Sequence, residues 1–189
     1  MKLKDLDNLL EEYTYKHKIF VFNVQDIGIL LNEDGATLRK TLERAVQDKI
    51  LVRACRNVYV YEKSKWFSHA KALFETAAVL RRGEMNYVSL DYALSDYGVI
   101  SQMSQVLTVM TTGTKTNVNT KYGAVHFYNT KRPMSQVLPE LTTREDLSSN
   151  IYYAMPKLAL SDYSKYRNKN LQDIDEEAFE DIVEEMYDE

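Results

Sequence analysis

Lys40, Arg44 and Gln47 recur at intervals of four and three residues in "LRKTLERAVQDK", so a helix holds them on one face, with Glu43 among them and Thr37 and Arg39 on its flanks. Arg53, Arg56 and Asn57 follow in "ILVRACRNVYVY". Lys and Arg hold phosphates, and an Arg can read guanine through two hydrogen bonds. A helix combining phosphate contacts with base-edge donors suits a DNA major groove, and each phosphate contact releases counterions, so binding is salt-dependent. The same residues have a plainer reading. An amphipathic helix ordinarily carries charge on its outer face, and a hairpin ordinarily has polar turn residues. Residues 1–63 hold 11 basic and 10 acidic residues, so this half is not strongly basic. Nucleic-acid binding and a structural or protein-binding role both stay open on pattern alone.

Catalytic chemistry finds little footing. His17, His69 and His126 lie far apart and lack HxxxH or HExxH spacing. Cys55 has no CxxC partner, and neither GxGxxG nor GxxxxGK[ST] occurs. His126 alternates with apolar residues in "AVHFY", as a structural strand residue does. Asp91 and Asp96 flank a short helix, a commonplace spacing. No catalytic residue, cofactor or metal is expected. The chain has 14 tyrosines. Tyr152, Tyr153, Tyr163 and Tyr166 fall near Lys157, Lys165, Arg167 and Lys169, a candidate contact surface for a partner or nucleic acid, or else core aromatics with hydroxyls at the rim.

The 189 residues suffice for one ordinary domain or two small ones, and 44% hydrophobic residues make a foldable chain. No apolar run approaches the roughly 18 to 20 residues of a membrane span. "MKLKDLDNLLEEY" scatters charges where a signal peptide needs an apolar stretch. A single cysteine fits a reducing compartment, and the expected location is cytoplasmic. The net charge of −4 is uneven: residues 171–189 carry ten acids and no Lys or Arg, leaving 24 basic against 18 acidic residues, +6, on the rest.

The elements that must position the candidate residues can be traced along the chain. Leu3, Leu6, Leu9, Leu10 and Tyr13 mark a helix from Leu3 to about Lys16, followed by the apolar run "KIFVF". Asn23 caps a second helix with Val24, Ile27, Leu30 and Leu31 buried, and "NEDG" breaks it. A third helix spans about Ala36 to Asp48, burying Leu38, Leu42, Ala45 and Val46. "ILVRA" and "VYVYE" are strands joined around Cys55-Arg56-Asn57. Three short helices and a hairpin predict a winged helix-turn-helix over 1–63, with Arg53, Arg56 and Asn57 on its wing. The fold class is α+β, with a mixed α/β domain and a small sheet over 64–189. There, "KSKWFSHAKALFETAAVLRRGE" is a helix closing near Gly83, and Ser89 caps a short helix that ends at Gly98. "QVLTVMTT" and "GAVHFYNT" are strands around a Thr/Asn/Lys-rich turn, Leu158–Tyr166 is helical, and Asp173–Tyr187 is an acidic amphipathic helix carrying Phe179, Ile182, Val183 and Met186.

Three stretches then carry a resemblance to the AbiEi-type antitoxins of bacterial type IV toxin–antitoxin (abortive infection) systems. "VFNVQDIGILLNEDGATLRKTLERAVQDKILVRACRNVYVY" is similar to the family's N-terminal winged helix. "NYVSLDYALSDYGVI" looks like its "yiSleSALsyyGli" segment, with Ser89, Ala93, Leu94, Tyr97 and Gly98 matching in order and spacing. "IYYAMPKLALSDYSKY" looks like "i..AtPEKALlDLlyl". Asn57 stands where the family's "rGvY" turn has glycine, and the usual Glu after the proline is missing in "MPKLALSD". The resemblance implies that the winged helix binds inverted repeats in double-stranded DNA of its own promoter and represses it. It further implies that the 64–189 domain counters a cognate nucleotidyltransferase-like toxin without a stable complex. The alternative is a winged-helix protein-interaction module without specific DNA binding.

Overall fold

The computed structural model describes residues 3–144, 146–167 and 173–187. It is an α+β structure with two sheets, and its contacts divide the chain into two compact units.

The first unit comprises residues 1–80 and 120–122. Helix α1 (Leu3–His17) leads into strand β1 (Val21–Asn23), and helices α2 (Val24–Leu31) and α3 (Gly35–Gln47) follow. Asn23 starts α2 with a capping box: its side chain accepts from the Asp26 amide at 2.8 Å, and Asp26 accepts from the Asn23 amide at 2.9 Å. Gly28 brings α2 close to the following turn, where a Cβ would stand 2.9 Å from the Glu33 carbonyl and 3.0 Å from Leu38. Strands β2 (Val52–Cys55) and β3 (Val58–Val60) form the hairpin, and helix α4 (His69–Leu80) completes the unit. "KIFVF", read in the sequence only as an apolar run, supplies β1, which pairs antiparallel with β3 to give the order β1-β3-β2.

Period-two alternation gives this sheet two apolar faces. Phe22 and its partner Tyr59 join Leu6, Leu10, Ile27, Leu38, Leu42 and Ala45 of the helical core. Val21, Ala54, Val58 and Val60 pack instead with Ala72 of α4. The boundary therefore falls after Leu80 and not near Lys63, because α4 covers the second face. That helix begins at His69, later than the sequence suggested.

In the second unit, residues 81–119 and 123–189, β4 (Asn86–Val88) precedes α5 (Leu90–Asp96). Next come β5 (Val106–Thr111), β6 (Thr116–Thr120), β7 (Gly123–Asn129) and α6 (Met134–Val137). Then β8 (Leu141–Arg144), β9 (Ser148–Ala154), α7 (Pro156–Arg167) and α8 (Glu176–Tyr187) complete the order. The sheet runs β6-β7-β5-β4-β9-β8, with β5–β7 and β4–β9 parallel and β4–β5 and β8–β9 antiparallel. It is larger than the small sheet expected. "TNVNT", expected as a turn, is strand β6, since alternating β-branched residues satisfy their backbone by pairing with β7. The acidic segment forms α8 as expected, and its entry is tied down: Ile174 bridges Ile100, and the Asp175 amide donates to Val99 at 2.9 Å. Asp188 and Glu189 lie outside the described residues.

The hairpin turn makes a specific demand. Asn57 has φ +63°, a left-handed conformation that Asn tolerates better than β-branched residues, and its carbonyl accepts from the Val24 amide at 3.1 Å. Asn57→Gly will keep the stability of the native protein within a few tenths of a kcal/mol, while Asn57→Val will lower it by about 1–2 kcal/mol in urea denaturation.

Candidate nucleic-acid interface

Helix α3 buries Leu38, Thr41, Leu42 and Ala45, which leaves the opposite side to its polar residues. Thr37, Lys40, Arg44 and Gln47 line one open depression together with Ala36 and Glu43. The Arg44 side chain lies back along the helix, its Nε 3.4 Å from the Lys40 carbonyl. Arg39 is exposed as well but does not share this depression, since its position in the turn takes it to the other flank. On the hairpin, Arg53, Arg56 and Asn57 are all exposed. Arg56 and Asn57 form the turn at the tip. Arg53 lies at the other end of β2, its Nε 3.3 Å from the Cys55 carbonyl, where it lines a separate depression with Lys49, Lys63 and Lys121.

Some of the protein's cations are held in ion pairs. Lys63 pairs with Asp7 at 2.6 Å and Lys121 with Glu62 at 3.4 Å. Arg132 and Arg144 are paired too. Among the described residues, Arg39, Lys40, Arg44, Arg53 and Arg56 have no carboxylate within ion-pair distance. Positive charge on this surface is thus left to solvent or a ligand.

The tyrosine cluster does not form the surface considered from sequence. Tyr153 and Tyr163 are buried; the Tyr153 hydroxyl donates to Asp96 at 2.9 Å, and burial beside that carboxylate raises its pKa. Tyr152, 46% exposed, is the most open of the four, and Tyr166 is half-buried under Lys165. Strand alternation explains the split, since adjacent residues on β9 face opposite ways. Lys157 sits over the Tyr187 ring at 3.9 Å, while Lys169 and the side chain of Arg167 lie outside the described residues.

A polar cluster in the second unit escaped the sequence reading. Asp162 of α7 is fully buried and accepts from the Tyr87 hydroxyl, the Ser89 hydroxyl and Arg132 Nε, each at 3.0 Å. Burial raises the Asp162 carboxyl above its ordinary pKa, opposed by the Ser89 and Tyr87 hydrogen bonds and by Arg132. Ser89 stands at the start of α5, as expected of a cap, but its side chain accepts from no backbone amide of the helix; its hydroxyl donates to Asp162. The shared helix periodicity of α7 carried no hint of this role, since a buried carboxylate sits on a face otherwise filled by apolar residues.

Cys55 is half-buried, and burial raises its thiol pKa against the pull of Arg53, the reverse of an activated thiolate. Among the described residues no group of three or more His, Cys, Asp or Glu could hold a metal ion, and no helix is long and apolar enough to cross a membrane. No protein-family model matches the chain, and a search of curated proteins gave no match.

Removing the Asp162 acceptor strands two buried hydroxyls and the Arg132 guanidinium. Asp162→Ala will therefore destabilise the protein by about 3 kcal/mol in chemical denaturation. Lys40→Ala with Arg44→Ala, on an exposed face, will change stability by less than about 0.5 kcal/mol.

Proposed function

We propose that the first unit is a winged helix-turn-helix that binds double-stranded DNA at its own promoter, and that the chain is a cytoplasmic autorepressor and antitoxin countering a nucleotidyltransferase-like toxin. The observation that carries the DNA-binding half is the exposed face of α3. Thr37, Lys40, Arg44 and Gln47 share one surface, their cations unpaired, on a helix followed directly by an antiparallel hairpin with Arg56 and Asn57 at its tip. The element order α1-β1-α2-α3-β2-β3 supports the winged-helix assignment. On this reading Lys40 and Arg44 hold phosphates, and Thr37 and Gln47 approach base edges.

The antitoxin half rests on the resemblance in residues 86–100 and 151–166. Ser89 and Asp162 occupy matching positions of those two separate segments, and the hydrogen bond between them supports reading the segments as parts of one design. Neither is assigned a catalytic role.

A second reading, a protein-binding winged helix, is favoured by Ile29. It is 81% exposed and lines a depression with Val24, Gly28 and Leu38.

A mobility shift on the chain's own upstream DNA, against a scrambled duplex, separates the two. The DNA reading expects a preference for the upstream duplex and an affinity loss of about tenfold or more when salt rises fourfold. Lys40→Ala with Arg44→Ala should abolish binding while the fold survives. Salt-insensitive or absent binding, with a stable co-purifying protein lost in Ile29→Glu, would favour the second reading. For the toxin, co-expression with a nucleotidyltransferase-like product of an adjacent reading frame should restore growth without a stable complex.

A further inference from the structure

The cations that converge at the base of the hairpin are not on the α3 face. Lys49, Arg53, Lys63 and Lys121 line a depression of about 540 Å³ floored by Val46, Ile50, Leu51 and Val52, with Glu62 as the one carboxylate in its wall. Lys63 and Lys121 are held there by Asp7 and Glu62, while Lys49 and Arg53 have no carboxylate partner among the described residues. Four cations against two carboxylates leave an excess of positive charge over an apolar floor, which screens charge less than water does.

The backbone at Lys49 is a second observation. Helix α3 ends in a Schellman motif: the Lys49 amide donates to the Val46 carbonyl at 3.1 Å and the Ile50 amide to the Ala45 carbonyl at 2.9 Å. The residue after the cap must then be left-handed, and Lys49 has φ +55°. Glycine fills this position without strain, whereas lysine does not. Lys49 thus places its cation at the edge of the depression from a strained backbone, beside the three other cations. The helix dipole favours a cation there, but Arg44 in the last turn already serves it.

We propose that this depression is a second phosphate-binding site, which takes a backbone phosphate and its sugars from the DNA duplex held by α3. The inference rests on the DNA-binding reading above. It assigns phosphate contacts to Lys49 and Lys121 and moves Arg53 from the hairpin tip to this site. Lys63 stays at the rim, its ammonium turned to Asp7. These contacts carry no sequence information, so they strengthen binding to any duplex equally.

The test is anisotropy of a labelled duplex with the full chain, over a series of salt concentrations, for the native protein and two variants. In Lys49→Asn with Lys121→Gln, asparagine tolerates the left-handed backbone and the Lys121 amide keeps its bond to Ala54. This variant should lose affinity by roughly fivefold per contact, equally for the upstream and the scrambled duplex, and its log–log salt slope should fall by about 2. Lys40→Ala with Arg44→Ala serves as the comparison for the α3 face. Native affinity and salt slope in Lys49→Asn with Lys121→Gln, alongside lost binding in the α3 variant, would overturn the second site and leave the DNA-binding reading standing. An affinity loss confined to the upstream duplex would also overturn it, since a phosphate site cannot choose sequence. Absence of duplex binding by the native chain would remove both. Thermal unfolding that matches the native protein confirms that the variants report on binding.

Discussion

Strand β3 is three residues long, yet it has a hydrogen-bonded neighbour on each edge and apolar side chains on each face. A backbone enclosed in this way must find all of its hydrogen bonds within the protein, so β1 and β2 are both obligatory. The two faces carry the same requirement into packing. Phe22 and Tyr59 need the helices α1 to α3, and Val58 and Val60 need α4. The exposed side of α3 follows from that arrangement, because burial of Leu38, Leu42 and Ala45 against the sheet leaves its polar residues nowhere else to go.

Much of this was legible in the sequence where a single periodicity dominates. α1, α2 and α3 begin and end within a residue or two of the positions that their apolar stripes and the Asn23 cap indicate, and the hairpin strands fall around Arg56 and Asn57. The eight candidate DNA contacts are all exposed, a consequence of the same amphipathic pattern. What local pattern could not supply is partnership across the chain. "KIFVF" becomes β1 only because β3, some 35 residues later, offers it an edge. Strand β4, only three residues long, reads poorly alone and is held by pairing with β5 and β9. Sequence left both readings of Tyr153 and Tyr163 open, contact surface or core aromatic, and burial decides for the core.

The charged residues divide by what they face. Arg132 and Arg144 are tied to carboxylates: Arg144 to Asp96 at 2.8 Å and to Asp146 at 3.0 Å, and Arg132 to the fully buried Asp162 at 3.0 Å. Exposed pairs contribute little to stability, but the Asp162 pair is enclosed, and its hydroxyl donors make it a fixed point in the packing of α7 on β4. The cations of α3 and the hairpin tip have no such ties. Arg44 instead makes only weak contacts to its own helix, at 3.4 Å to the Lys40 carbonyl and 3.5 Å to the Thr41 hydroxyl.

The strand expected as a turn has a consequence for the protein in a crowded solution. β6 is an end strand of the six-stranded sheet, and end strands invite other chains to extend them. "TNVNT" offers mostly threonine and asparagine there, with Lys115 before it and Lys121 after it. At the opposite end, β8 carries Arg144 within its ion cluster. Both borders of a largely apolar sheet are thus polar and charged, which discourages edge-to-edge aggregation.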